Sequence, residues 1–243
     1  MAQTTSTEPA ATPKSLPARL IGVIFSPRAT YADVAVRPRV LGALLMVALI
    51  SGVCVAAFAS TQVGQDALFE QQRTQMESFG VHLNDAQLQQ MEARLKFAPY
   101  FGAVGQFVFL PIIALIVGGI AFAVFNAVLG GDATFKQVYA VVVHSGALIA
   151  VQQLFTLPLD YVRETLSSPT NLAVFLPFLD ENSFAARLLG SIDLFLIWWA
   201  INLSIGLGVL YRKRTGPIAT TLLVIYVTIG LVIAAVKTAL AGA

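Results

Sequence analysis

The chain has 243 residues, of which 57% are hydrophobic and only 12% are charged, and its formal net charge is +2. Soluble domains carry about 25% charged residues, so this composition excludes a water-soluble globular enzyme. The apolar content also excludes a disordered protein, and the small net charge excludes a nucleic-acid-binding protein.

The N-terminal part of the chain is predicted to contain a tail and an amphipathic segment. Residues 1–17 are rich in Thr, Ala, Ser and Pro, which predicts a disordered tail. In residues 18–39, the apolar run from Leu20 to Phe25 is too short to span a bilayer. Ser26 and Pro27 then resemble the cap and the first residue of a helix. We expect residues 18–39 to lie in the headgroup layer.

Five long apolar windows follow, and together they hold one charged residue, Asp193. Each window is long enough to cross about 30 Å of hydrocarbon as a helix. Apolar runs without alternation do not suit barrel strands. The sequence therefore predicts an all-α integral membrane protein with five transmembrane helices. These spans are predicted at about 40–60, 101–129, 138–159, 188–210 and 218–236.

A Gln-rich segment, residues 62–97, separates the first two predicted spans. Its apolar residues recur at helical spacing, and Gly80 is a typical helix stop. Asn84 and Gln87 have the spacing of a capping box that starts a second helix. We expect an extracytoplasmic helical hairpin. Its apolar stripes either pack on each other or receive a partner protein.

The distribution of Lys and Arg predicts the orientation in the membrane. Nine basic residues lie in the segments on the N-terminal side of the membrane, and six lie in the longer segments on the other side. Basic residues concentrate in cytoplasmic segments. The N-terminus is therefore expected in the cytoplasm and the C-terminus outside.

Asp193 is the carboxylate within a predicted span, and a charge at such a position is costly and often functional. We consider three interpretations. Asp193 caps a helix that begins at Leu194, it pairs with a polar neighbour, or it handles protons or ions.

The third predicted span carries a polar face. Ser145, Gln152 and Thr156 recur at helical spacing, with His144 beside them. These side chains either form hydrogen bonds between helices or line a path for water. Asn126 and Asn202, in neighbouring spans, are their candidate partners. Because nucleotide, metal and nucleophile motifs are missing, we expect no enzyme activity and no cofactor.

Three stretches in order along the chain together resemble the Yip1-domain family of multispan membrane proteins. The first is an F-x-P lead into span one, the second a glycine pair before span three, and the third a D-x-F-x-I-W segment. The residues that carry this resemblance are Phe25, Pro27, Gly130, Gly131, Phe135, Asp193, Phe195, Trp198 and Gly206. Leu194 departs from the pattern, since the family often has Pro there.

The resemblance implies a five-helix membrane protein with a cytoplasmic N-terminus. Eukaryotic members act in ER–Golgi vesicle traffic and contact Rab-type small GTPases. The short chain and tail resemble a bacterial member instead, which implies the inner membrane and does not carry over the Rab role. The family supplies no catalytic residues.

Two functional hypotheses follow. The first is a non-enzymatic scaffold, in contact with the lipid bilayer, that organises membrane or periplasmic proteins through its helix faces and the outer hairpin. The alternative is a permease for small solutes or ions that uses Asp193 and the polar face of span three. The sequence does not indicate an oligomeric state.

Overall fold

The computed structural model describes residues 14–180 and 183–241, and within these ranges the chain is helical with no strand. Residues 1–13, which contain most of the predicted tail, lie outside the described residues. The helices are α1 (Leu16–Phe25), α2 (Pro27–Val36), α3 (Leu41–Ala59), α4 (Gln62–Glu77), α5 (Asp85–Leu95), α6 (Ala98–Phe122), α7 (Phe135–Ser145), α8 (Ala147–Arg163), α9 (Phe184–Gly190), α10 (Leu194–Leu210) and α11 (Thr215–Ala241).

Within the described residues, four helical segments are long and apolar enough to cross a membrane, namely Leu41–Ala59, Ala98–Val128, Phe135–Arg163 and Thr215–Leu240. They correspond to the predicted first, second, third and fifth spans. The second is longer than predicted, because α6 continues through Pro111 and into a π-helical turn, Ala123–Val128. The third is divided at Gly146, where α7 gives way to α8.

The predicted fourth span, 188–210, does not form one helix. α9 ends at Gly190, and α10 begins only at Leu194. Its 17 residues make a helix about 25 Å long. The reason is local, because Asp193 has an extended backbone and its side chain caps the new helix.

Residues 18–39, predicted to lie in the headgroup layer, are helical over most of their length. This segment forms α1 and α2, and both helices pack on the membrane helices, with α2 against α7 and α10. Val23, Tyr31 and Val34 are fully buried there. These three side chains therefore pack against protein. Ser15 caps α1 and helix begins at Leu16, so the helix starts within the predicted tail, 1–17.

The hydrophobic core lies between α2, α7 and α10. Val141, Leu203 and Leu207 are buried in it together with Tyr31. Gly206 permits this close packing, since an added Cβ would stand 2.6 Å from Val141 Cγ1 and 3.0 Å from Tyr31 Cε1. The membrane domain is therefore built around a helix pair that precedes the first span.

Residues 62–97, predicted to form an extracytoplasmic hairpin, contain the two helices α4 and α5. Gly80 adopts a positive φ of 77° in the turn between them, and Asn84 and Gln87 form the expected capping box. The hairpin leans on the end of α11, where Lys237 Nζ lies 5.4 Å from the ring centroid of Phe79. Met76 and Phe79 at its tip remain exposed.

The two ends of the helix bundle are named here by residues of α10. The Asp193 end holds the start of α10 and the loop that follows α8. The Tyr211 end holds the end of α10 together with the π-helical turn after α6.

Candidate functional site

Asp193 is buried, with 6% of its surface exposed, and it is the N-cap of α10. Its Oδ1 accepts hydrogen bonds from the backbone N–H groups of Phe195, at 2.8 Å, and Leu196, at 3.3 Å. A carboxylate in this place meets free N–H groups and the positive end of the helix dipole. The local geometry is therefore that of a helix cap.

Three further side chains donate to the same carboxylate. Gln152 Nε2, from α8, lies 3.2 Å from Oδ1. Thr170 Oγ1 lies 2.7 Å from Oδ2, and Ser168 also donates its hydroxyl to Oδ2. Each carboxylate oxygen thus has at least two donors, and these hydrogen bonds stabilise the buried carboxylate.

The loop after α8 is fastened to the start of α10 by backbone contacts as well. Asn171 and Asp193 form an antiparallel bridge, and Leu172 N–H donates to the carbonyl of Ile192 at 2.9 Å. The Asp193 N–H donates to Tyr226 Oη of α11 at 2.8 Å. Asp193 therefore joins α8, α10, α11 and this loop. Ser168 and Thr170 were not predicted to belong to this site, because polar loop residues give no signal of their partner in sequence.

Asn202 lies in the middle of α10 and bonds to the α1–α2 pair, not to the polar face of span three. Its Oδ1 accepts from Tyr31 Oη at 2.5 Å, and its Nδ2 donates to the carbonyl of Val23 at 2.7 Å. The predicted pairing of Asn202 with the third span is wrong. The amide instead satisfies the carbonyl of Val23 near the end of α1.

Asn126 lies at the Tyr211 end, and its predicted pairing with the third span is also wrong. Its Nδ2 donates to the carbonyl of Ala133 at 2.7 Å, and its Oδ1 accepts from Tyr211 Oη at 2.6 Å. Burial, followed by the charge of Asp132, raises the pKa of Tyr211 to about 12, so its hydroxyl keeps the proton that it donates. Asn126 and Asp193 are therefore at opposite ends of α10.

The polar face of the third span is occupied by contacts within the protein. Ser145 accepts from Trp199 Nε1 at 3.0 Å, and Gln152 bonds to Asp193. Thr156 stands one turn before Asp160 on α8. The contacts of Ser145 and Gln152 are hydrogen bonds to another helix, which is the first of the two interpretations considered.

His144 is fully buried at the end of α7. Its Nδ1 lies 2.7 Å from the carbonyl oxygen of Ala140, so Nδ1 carries the proton in that contact. Its Nε2 is buried and has no hydrogen-bond partner among the described residues.

The residues that carry the family resemblance stand at packing and turn positions. Pro27 is the first residue of α2, and Gly130 has a positive φ of 65°. Gly131 lies under the Tyr211 ring, where an added Cβ would be 2.7 Å from Cε1. The remaining motif residues make ring contacts or stay exposed. Phe135 stacks on Tyr139, Phe195 lies between Phe155 and Trp198, Gly206 faces Tyr31, and Phe25 is 80% exposed.

Two buried charged residues were not predicted. Arg19 in α1 is 2% exposed, and Asp160 in α8 is 9% exposed. Arg19 forms an ion pair with Asp33 at 2.8 Å. Both residues lie outside the apolar windows, so hydropathy alone assigned them to solvent.

A family model described as the Yip1 domain matches residues 21–236. No curated protein and no protein of solved structure matches the chain significantly.

Proposed function

The chain belongs to the Yip1 domain family of membrane proteins, and we propose that it is a non-enzymatic scaffold that holds partner proteins at the membrane. The observation that carries this proposal is a large groove between the α4–α5 hairpin and the loop after α8. The groove has a volume of about 980 Å³. This volume is at the upper end of the range for small-molecule sites and also accommodates a short peptide segment.

The groove has charged and polar walls next to exposed apolar side chains. Glu70 and Thr74 of α4 face Arg163 and Glu164 at the end of α8. Met76 and Phe79 are each 42% exposed at the neighbouring hairpin tip. Mixed charges beside an apolar anchor are typical of a surface that recognises a protein segment.

The positions of the polar residues favour the scaffold over the permease hypothesis. Asp193, Asn202 and Asn126 are spread along the length of α10 instead of meeting at one cavity. Each of them is hydrogen-bonded to neighbouring protein groups. A transport path requires polar groups that are free to meet a solute or water.

We further propose five spans, with α10 as the fourth, and a bacterial inner-membrane location with the N-terminus in the cytoplasm. α10 runs from the Asp193 end to the Tyr211 end, although its 17 residues fall slightly short of the hydrocarbon thickness. The adjoining α9 and the loop at 211–214 extend its reach. The basic residues Arg212, Lys213 and Arg214 support a cytoplasmic Tyr211 end.

The scaffold proposal is tested by site-specific photocrosslinking in native membranes. A photoreactive amino acid is placed at Thr74, which lines the groove, or at Gln72, an exposed control on the same helix. We expect a protein adduct of one defined mass from position 74 that is missing from position 72. Equal adducts at both positions, or none at 74, would contradict the proposal.

The permease alternative has its own test. The full chain and its Asp193→Asn variant are reconstituted in liposomes, and ion and small-solute flux are measured. We expect no flux above protein-free liposomes for either protein. Flux that the variant abolishes while its fold is intact would replace the scaffold proposal with the permease.

A further inference from the structure

A second cavity, of about 130 Å³, lies where α1 and α3 begin, at the same end of the bundle as Tyr211 by helix direction. Basic side chains dominate its walls, and no Asp or Glu of residues 14–180 and 183–241 lines it. Its polar lining is Lys14, Arg19, Arg39 and His144, and Leu16 and Ala43 belong to its apolar lining. Three formal positive charges thus face one small space.

Arg19 has one unused donor at this cavity. Its Nε donates to Asp33 Oδ2 at 2.8 Å, and its Nη1 donates to the carbonyl of Arg37 at 3.0 Å. Its Nη2 is buried and finds no hydrogen-bond partner among residues 14–180 and 183–241. An unpaired donor of a buried charged group is unfavourable, so its presence indicates a site where a ligand can accept the hydrogen bond.

His144 supplies a second unused polar atom to the same walls. Its Nδ1 is held by the carbonyl of Ala140, which leaves Nε2 as the free ring nitrogen. Nε2 accepts a hydrogen bond from a hydroxyl when the ring is neutral and donates one when the ring is protonated. Arg19 and His144 stand on separate helices, and both line this cavity. Each of them has one buried nitrogen atom without a hydrogen-bond partner among the described residues.

The charge around the cavity is not balanced by acidic groups. Asp33 is the carboxylate paired to Arg19, and it also lies 3.9 Å from Arg37 Nη1. Its charge is therefore shared between two arginines, while Lys14 and Arg39 have no ion pair within the described residues. The net local charge is positive and suits an anion.

We infer that this cavity binds a phosphate group. Arginine presents its N–H donors in a fork that matches phosphate oxygens, and lysine adds a point charge. The volume is about four times the 30 Å³ that a water occupies in the liquid, which is enough for one phosphate group. A bound phosphate would accept the unused hydrogen bond of Arg19 Nη2. It would also link α1, α3 and α7.

Two sources can supply the phosphate, an anionic phospholipid headgroup or a soluble phosphate compound. The cavity lies beside the first turn of α3, at the edge of the first span, which is where lipid headgroups stand. Its lining also includes the apolar residue Leu16, which could contact the acyl chains next to a phospholipid headgroup. The experiment therefore has one arm for each source.

The first arm is a lipid titration of the full chain followed by native mass spectrometry. Phosphatidylglycerol, or phosphatidylcholine as the neutral-headgroup control, is added to the protein in detergent without phosphate. We expect phosphatidylglycerol to bind more tightly. The double variant Lys14→Gln/Arg39→Gln should weaken that binding about tenfold, since it removes two charged contacts.

The matched control variant is Lys213→Gln/Arg214→Gln, which removes the same charge from exposed positions at the Tyr211 end. It should bind phosphatidylglycerol as the unaltered chain does. Arg19 is buried and ion-paired, so its substitution would destabilise the fold. Lys14 and Arg39 are substituted for this reason. Equal loss in both double variants would show general charge attraction and overturn the site.

The second arm replaces the lipid with inorganic phosphate and measures the thermal unfolding temperature. A rise that Lys14→Gln/Arg39→Gln removes, without preference for phosphatidylglycerol, assigns the site to a soluble phosphate. A preference for phosphatidylglycerol without this rise assigns it to a lipid. If neither ligand distinguishes the double variant from the unaltered chain, the phosphate site is refuted.

Discussion

Tyr31 donates its hydroxyl proton to Asn202 across 171 residues of chain, with 2.5 Å between the two oxygens. Tyr31 is fully buried and Asn202 is 2% exposed, so water cannot replace either partner. The same amide also holds the carbonyl of Val23. This hydrogen-bonded pair attaches the N-terminal helices to the centre of α10.

Removal of the Tyr31 hydroxyl should therefore destabilise the fold. We expect Tyr31→Phe to lower the free energy of unfolding by about 1–3 kcal/mol, because Asn202 Oδ1 loses its donor in a buried place. Thermal unfolding in detergent measures the change. Tyr100→Phe is the control, since Tyr100 is 71% exposed. An equal shift for both variants would contradict the special role of the buried pair.

The contacts of Asp193 predict an order of stability among its variants. Asp193→Asn keeps an oxygen for the N–H groups of Phe195 and Leu196 and should cost about 1 kcal/mol. Asp193→Ala removes the cap and leaves Gln152 without its acceptor, so it should cost about 2–4 kcal/mol.

Chemical or thermal unfolding of the purified variants checks this order. Glu92→Ala, at an exposed position in α5, is the control and should remain within about 0.5 kcal/mol. If Asp193→Ala were as stable as the unaltered chain, the helix-cap interpretation would be incorrect.

Gly206 predicts a steric effect. In Gly206→Ala the new Cβ meets Val141 and the Tyr31 ring, so the variant should lose about 1–3 kcal/mol through displaced packing. Gly119→Ala on α6 is the matched control, because its Cβ meets no described atom within 4 Å. It should be neutral or gain up to about 1 kcal/mol from helix propensity. If both substitutions changed the free energy of unfolding equally, the steric explanation for Gly206 would be incorrect.

The proposed topology predicts opposite labelling of two positions. In a Cys54→Ala background, Gln75→Cys should react with a membrane-impermeant maleimide in spheroplasts. Arg214→Cys should react only after lysis. Labelling of both positions from outside would mean that the number of spans between them is not the proposed three.

The helical membrane architecture could be predicted from the sequence because hydropathy is a local property. The window at 40–60 became α3, Leu41–Ala59, and the Asn84–Gln87 spacing became a capping box. Asp193 before an apolar run likewise indicated a cap. Each of these features depends on residues within a few positions of one another.

The contacts between distant elements could not be predicted in this way. Tyr31 gives no sign in sequence that its partner is Asn202, and a short apolar run fits a lipid surface as well as a protein groove. Arg19 and His144 are 125 positions apart in the sequence. Arg19 was predicted to lie in the segment before the first span, and His144 within the third span. Only the packing of α1 against the bundle places them in one cavity.

The attachment of α1 and α2 to α10 has a consequence for biosynthesis. Val23 and Tyr31 leave the ribosome long before Asn202, so their buried hydrogen bonds form only after most of the chain has been made. Until then the N-terminal helices lack their main docking surface. Folding of this protein therefore ends with a late step, in which α1 and α2 dock on α10. A nascent chain that ends before α10 cannot bury its N-terminal helices in this way.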